Sequence, residues 1–164
     1  TSNGAVFSSV GVVHHRCKRA VRELLCAGKV YYDLLNYRRK QEITNVALVR
    51  LEQYYPYPER ELREVLERYP DVKDIVWVQE EPRNMGAWDF LDERLLATIE
   101  PGQTLRYVGR PSAASTATGS SRRHGAEQNA LVEEALLGDG VSTSARSVTL
   151  ELGEKKTAAA AALN

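Results

Sequence analysis

The sequence predicts a three-layer α/β domain, with a mainly parallel sheet of about four to five strands between helices. Three observations predict it. Short, nearly continuous apolar runs such as VALV at 46–49 have the character of strands buried on both faces of a parallel sheet. Amphipathic stretches of eleven to sixteen residues with helical spacing separate these runs. The two patterns alternate four times, the order that a helix-covered parallel sheet requires.

Residues 1–16 show no clear periodicity and form a head of unassigned structure. The first strand is expected at 20–26, cut by Gly28, and a helix over 29–40 follows with Val30, Leu34 and Leu35 on one face. The second strand is 46–51. Pro56 and Pro58 then punctuate the chain, and Pro58 stands where a helix over 59–69 would begin. That helix has Leu62, Val65, Leu66 and Tyr69 at helical spacing and two Glu in its first turn. The third pair is a strand at 75–78 and a helix over 88–99 carrying Leu91, Leu95, Leu96 and Ile99. The fourth is a strand at 104–108, the small-residue stretch 112–121 and a helix over 122–137 with Ala130, Leu131 and Leu137 apolar. The expected domain is therefore 17–137. Residues 138–164 lack aromatic side chains and end in Ala-rich low complexity, so a disordered tail is expected, with Val148, Leu150 and Leu152 the sole strand-like alternation.

Composition narrows the function classes. The chain has 164 residues, 43% hydrophobic and 27% charged, with 22 Lys+Arg balancing 22 Asp+Glu. No apolar run approaches the roughly 18–20 residues of a spanning helix, so no membrane partner is expected. A net charge of zero supplies no general field for phosphate backbones, so no nucleic-acid partner is expected either. The zero conceals an asymmetry: residues 1–40 carry eight basic and two acidic side chains, and residues 51–100 carry six basic and thirteen acidic. Such a split suits an anion site beside an acidic face, or plain solvated helix faces. Two cysteines, Cys17 and Cys26, give no disulfide framework and point to a reducing compartment.

The sharpest local motif is LLCAGKVYYDL at 24–34, where a strand ends at Ala27-Gly28 and a helix opens beside Lys29. Free N–H groups at the helix start and the Lys29 ammonium together suit a phosphate or carboxylate. The second glycine and the following Ser or Thr of a phosphate-cradling loop are absent. RLEQYYPYP at 50–58 puts Arg50, Glu52 and Gln53 at the carboxyl end of a strand, where open α/β sheets hold ligands. Glu80 and Glu81 end the third strand, but adjacent strand residues face opposite ways, so they cannot share a catalytic proton. His14, His15 and Cys17 lack a second cluster at ligand spacing, so no metal site is expected. His124 reads as a capping or surface histidine. Gly138-Asp139-Gly140 imitates the opening of a diphosphate-magnesium motif without the Asn-Asn pair that should follow.

Four blocks in this order carry a family resemblance: LLCAGKVYYDL (24–34), VALVRLEQYYPYP (46–58), RYPDVKDIVWVQEEPRNMGAWDF (68–90) and RYVGRPSAASTATGSSRRHGAEQ (106–128). They resemble the C-terminal domain of the 2-oxoglutarate dehydrogenase decarboxylating component over about 19–137, most distinctively in QEEP-NMGAW and GRPSAASTATG. The resemblance implies a transketolase C-terminal-like fold. It further implies a place in an enzyme of the tricarboxylic acid cycle that uses thiamine diphosphate and magnesium, decarboxylates 2-oxoglutarate and passes the succinyl group to a lipoyl-bearing succinyltransferase. In that family the cofactor is held by two preceding domains. No catalytic residue is therefore expected in this chain, which alone should be inactive. The implied roles are contact with a homodimer mate and with those domains, and in some members a nucleotide or acetyl-CoA effector site.

The positions that would face an effector such as acetyl-CoA or AMP are Lys29, Gln53 and Arg60, with Arg110 beside them. Two departures stand out: Ala27 occupies the place of a small hydroxyl residue, and Thr116 that of a proline. The resemblance excludes the head and the tail, which suit flanking sequence of a truncated gene or a lineage extension. The implied compartment is the mitochondrial matrix in a eukaryote or the cytoplasm in a bacterium. Two alternatives stay open: a self-standing nucleotide- or acetyl-CoA-binding module, and the related 2-oxoadipate dehydrogenase.

Overall fold

The computed structural model describes residues 6–9, 11–15, 17–114 and 121–138. Its elements are strands β1 (Val6–Ser9), β2 (Val12–His15) and β3 (Arg22–Cys26), helix α1 (Val30–Lys40), β4 (Val46–Leu51), α2 (Glu59–Leu66), β5 (Asp74–Pro82), α3 (Trp88–Thr98), β6 (Thr104–Arg110) and α4 (Ser121–Leu137). One six-stranded sheet has the order β1-β2-β4-β3-β5-β6. The four strands expected from the sequence are mutually parallel, and β1 and β2 pair antiparallel on the β4 side.

The sheet thus has six strands where four to five were expected, and it takes in residues of the supposed head. The reason is physical. Each added strand has four residues, too few for a periodic signal, and three of the four residues of β2 are buried, which erases the alternation of a half-exposed strand. His14 and His15 are both buried within β2. Residues 139–164, including the possible strand at Val148–Leu152 and Gly138-Asp139-Gly140 beyond its first glycine, lie outside the described residues.

Two apolar layers sandwich the sheet. Leu62, Val65 and Leu66 of α2 and Leu91 and Leu95 of α3 pack with Leu25, Val49, Ile75 and Trp77 on one face. Val30, Tyr31, Leu34 and Leu35 of α1 and Leu131, Val132, Ala135 and Leu136 of α4 pack with Leu24, Cys26, Leu48, Val76 and Val78 on the other. The odd-even split of β3 and β5 between the two layers is the strand period of two made visible. The seam of α4 differs from expectation: Leu131 faces the core, but Ala130 and Leu137 are exposed, and Gln128, Val132, Ala135 and Leu136 complete the buried stripe. Those positions keep the three- and four-residue spacing of one helix face.

The amino end of the sheet is clamped by charge. Asp74 accepts hydrogen bonds from Arg22 Nε at 2.5 Å and from Arg106 Nε and Nη2 at 2.7 and 2.8 Å. Arg22 also donates to the carbonyls of Ala135 and Gly138, satisfying groups that the end of α4 would otherwise leave unpaired. One guanidinium therefore joins β3, β5 and the last helix.

Candidate functional site

The connections decide where a ligand can sit. After β3 the chain passes to the α1 face and returns as β4 on one side of β3; after β4 it crosses by α2 on the opposite face and returns as β5 on the other side. Neighbouring strands β3 and β5 therefore send their following segments to opposite faces, and a crevice opens between them at their carboxyl ends, as topological switch points do.

A cavity of about 380 Å3 occupies that place. Its walls are Ala27-Gly28 after β3, Tyr54 and Tyr55 after β4, Trp77–Gln79 and Glu81 on β5, and Gly86, Ala87 and Phe90 at the start of α3. The volume falls in the range of small-molecule sites, and four of the eleven lining residues are aromatic. Gly28 has φ +66° with nothing near its missing side chain, so the turn itself demands glycine. Tyr55 is 86% exposed at the rim, beside a cis bond to Pro56, whereas Tyr54 is 37% exposed. Burial, reinforced by the Glu81 carboxylate, pushes the Tyr54 hydroxyl up to about 12. It therefore remains a hydrogen-bond donor at any physiological pH.

Gln79 holds the crevice in shape. Its Oε1 accepts from Trp77 Nε1 at 3.2 Å and from the backbone N–H groups of Ala87 and Trp88 at 3.1 and 3.2 Å, which caps α3. Its Nε2 donates to the carbonyls of Glu81, Pro82 and Met85, the last at 2.6 Å. Gly86, at φ +74°, lies so close that an added Cβ would sit 2.8 Å from the Gln79 amide carbon. Asn84 exchanges two 3.0 Å hydrogen bonds with the backbone of Ala113, tying the same loop to the segment after β6. The block QEEP-NMGAW is thus a folded wall: its conspicuous polar residues satisfy backbone groups and leave ring surfaces toward the cavity.

The four expected effector residues distribute unevenly. Lys29 and Gln53 follow the adjacent strands β3 and β4 and flank the crevice, next to Gly28 and Tyr54. The Lys29 ammonium is 71% exposed and lies 3.4 Å from Asp33 and 4.0 Å from Glu80. Pairs that loose and exposed are worth about 0–1 kcal/mol, so an incoming anion can redirect the lysine. Gln53 donates to the Pro56 carbonyl at 3.0 Å. Arg60 projects from the first turn of α2, 81% exposed, and pairs with Glu61 at 2.8 Å. Arg110 is different: its side chain is 10% exposed and its Nε lies 3.7 Å from Glu127 of α4, an ion pair that helps seat that helix. None of the four is itself a wall of the cavity.

The remaining candidates take structural places. Arg50 lies over the rings of Tyr31 and Tyr32 at 4.8 and 5.1 Å and pairs with Glu52. Glu80 and Glu81 face apart as strand geometry demands: Glu80 turns toward Lys29 and Glu81 to the crevice. Cys26 is wholly buried, with its Sγ donating toward the Val49 carbonyl, and burial raises its thiol far above the usual range. The side chain of His124 lies outside the described residues. The sequence did not single out Tyr54, Tyr55, Trp77 or Phe90; they come from different elements, and only the fold brings them together.

The fold defines a three-layer α/β unit with a crevice at its topological switch point. The chain belongs to the 2-oxoglutarate dehydrogenase C-terminal family, whose model matches residues 6–136. The match begins within β1, so residues 6–16 fall inside the family, contrary to the expectation that the head stands apart. The chain is 45% identical over 114 residues to the 2-oxoglutarate dehydrogenase E1 component of Cupriavidus necator, covering 70% of this chain and 12% of that protein. It is 46% identical over 124 residues to that of Coxiella burnetii, and 42% identical over 135 residues to that of Haemophilus influenzae. These cover 74% and 82% of this chain, and 13% and 14% of the relatives. The chain therefore spans about an eighth of the length of the curated relatives it matches. Among solved structures, an inactive β4 tetramer of a split-gene transketolase aligns with a TM-score of 0.49 at 16% identity, over 83% of this chain and 43% of that one.

Proposed function

We propose that this chain serves as the C-terminal domain of a 2-oxoglutarate dehydrogenase E1 component, and that the carboxyl end of its sheet receives an anionic, ring-bearing effector such as acetyl-CoA or AMP. The family match across 6–136 carries the first part. The ring-walled crevice between Gly28 and Tyr54, with Lys29 at its lip, supports the second. Rings would stack on Tyr54, Tyr55 or Phe90 while phosphates reach Lys29, and the exposed Arg60 adds a second charge. Arg110, held by Glu127, contributes to the site through the position of α4.

In the whole enzyme, thiamine diphosphate supplies the electron sink for decarboxylation. The residues of this domain do not fit that group. Among the described residues no set of three His, Cys, Asp or Glu converges as a magnesium site. No step of the decarboxylation is assigned to them. The domain's contribution is shape, contact with a homodimer mate and with cofactor-bearing domains, and regulation of succinyl transfer to the lipoyl-bearing partner. The relatives above are bacterial, which favours the cytoplasm over the mitochondrial matrix.

Two experiments test this reading. The coding sequence upstream should contain in-frame thiamine diphosphate-binding domains; a start codon directly before this chain, with a stop ahead of it, would contradict the parent enzyme. Calorimetric titration with acetyl-CoA and with AMP should give saturable heat for at least one of them. Affinity should weaken about tenfold in Lys29→Ala with an unchanged melting temperature, the size of one charge-assisted contact. No heat with either ligand, or equal affinity in Lys29→Ala and Arg60→Ala, would sink the effector assignment.

A further inference from the structure

Many cations among the described residues are paired. Arg22, Lys29, Arg50, Arg60, Arg63, Arg106 and Arg110 each have a carboxylate within 4.0 Å. Lys18 and Arg19, in the turn before β3, and Arg39 and Lys40, in the last turn of α1, are exposed and have no ion pair among the described residues. Both segments lie at the amino end of the sheet: one leads into β3, the other ends α1 before β4, and the Val21 N–H donates to the Asn45 carbonyl at 2.8 Å. Buried His15, which ends β2 nearby, is depressed first by burial and then by the charges of Arg38 and Arg39. Glu42 is the one carboxylate in residues 17–21 and 36–43.

A helix end attracts cations by its dipole, and that accounts for Arg39 and Lys40 taken alone. It does not account for Lys18 and Arg19, which lie on a separate turn and add to the same positive field. In a chain of zero net charge, four neighbouring exposed cations without partners form a local surface that favours negative charge. No ring of the patch is free for base stacking: Tyr31 is buried, Tyr32 belongs to the opposite end of α1, and the half-buried Tyr37 packs on the layer between α1 and α4 with its hydroxyl donating to Glu133 at 3.3 Å. Charge complementarity without stacking favours carboxylates over nucleic acid.

We propose that Lys18, Arg19, Arg39 and Lys40 form a docking surface for an acidic segment of a protein partner, on the opposite end of the sheet from the effector crevice. The surface acts through charge, so its binding is salt-dependent and set more by encounter rate than by buried area.

Fluorescence anisotropy on the full chain tests this with a labelled ten-residue polyglutamate peptide and, as a rival, a ten-nucleotide single-stranded DNA. The peptide should bind, weakening about tenfold between 50 and 200 mM NaCl. Arg39→Glu should weaken it about threefold or more, whereas Arg94→Glu, the same change in net charge on α3 in the opposite layer, should leave it unchanged. Reversal of all four residues to Glu should abolish binding while the circular dichroism spectrum is kept. Absence of peptide binding, equal weakening by Arg39→Glu and Arg94→Glu, or tighter binding of the DNA than of the peptide would each overturn the proposal.

Discussion

The two ends of the sheet solve opposite problems with the same backbone. At the amino end, Asp74 is gripped by Arg22 and Arg106, and the charges are spent on holding β3, β5, β6 and α4 together. At the carboxyl end the polar residues of the β5–α3 loop, above all Gln79, satisfy backbone groups, and the space between the strands stays open and ring-lined. Closure by charge at one end and an opening framed by neutral hydrogen bonds at the other means that a ligand can enter without breaking the sheet. The difference also assigns the expected residues: Arg110 works with Glu127 in packing, whereas Lys29, weakly paired, is available.

The comparison can be broken most forcefully at Asp74. Asp74→Ala should cost about 3 kcal/mol, because two partly buried guanidinium groups lose their shared carboxylate. Denaturant unfolding checks this. Burial alone would raise the Asp74 carboxyl, but the hydrogen bonds and charge of Arg106, then the charge of Arg22, overrule it and hold it below its ordinary value of 3.8. The clamp's stabilisation is therefore present above pH 3.8 and is lost as pH falls further through the depressed folded value. A flat stability profile between pH 5 and 2 would contradict it.

Glu23 sharpens the same contrast from the other side. Its side chain is wholly buried on β3, and neither carboxylate oxygen has a hydrogen-bond partner among the described residues. Burial raises its carboxyl well above the ordinary value, so the folded state prefers the neutral form. That preference gives stability below pH 4.5 that is lost as pH rises toward the folded value. Glu23→Leu should therefore stabilise the chain by about 2 kcal/mol at pH 8, and by less at pH 4.5. Equal effects at both pH values would refute the account.

At the carboxyl end, Gln79→Ala should cost about 2 kcal/mol and uncap α3, since the Trp77 indole and two helix N–H groups lose their acceptor. Hydrogen exchange should quicken at Ala87 and Trp88 before it does in β3. Tyr55→Ala should be nearly neutral, within about 0.5 kcal/mol, because the ring is 86% exposed, yet it should weaken effector binding. A destabilisation above about 1 kcal/mol would show that Tyr55 packs in the fold and is no free wall.

Much of the fold was legible because parallel strands announce themselves. The run 46–51 matches β4 to the residue, and α1, α2 and α3 lie within a few residues of their expected bounds. β1 and β2 escaped because antiparallel strands of four residues leave no period to detect, although Gly11 at φ +84° marks the turn between them. Strand ends were enough to place Lys29 and Gln53 beside the crevice. The crevice walls were not, since Tyr54 and Phe90 lie on separate elements and acquire a shared purpose only when β3 and β5 become neighbours. The distinctness of QEEP-NMGAW was visible, but its role as a cap and wall depends on where six hydrogen bonds of Gln79 end.

The most direct test of the division between the two ends is an amide nuclear magnetic resonance titration of the full chain with acetyl-CoA, read residue by residue. The account predicts saturable shifts at Gly28, Lys29, Gln53–Tyr55 and Gln79–Ala87, with Lys18, Arg19, Arg39 and Lys40 unmoved. Shifts confined to those four cations, or no saturable shift around the crevice, would contradict it.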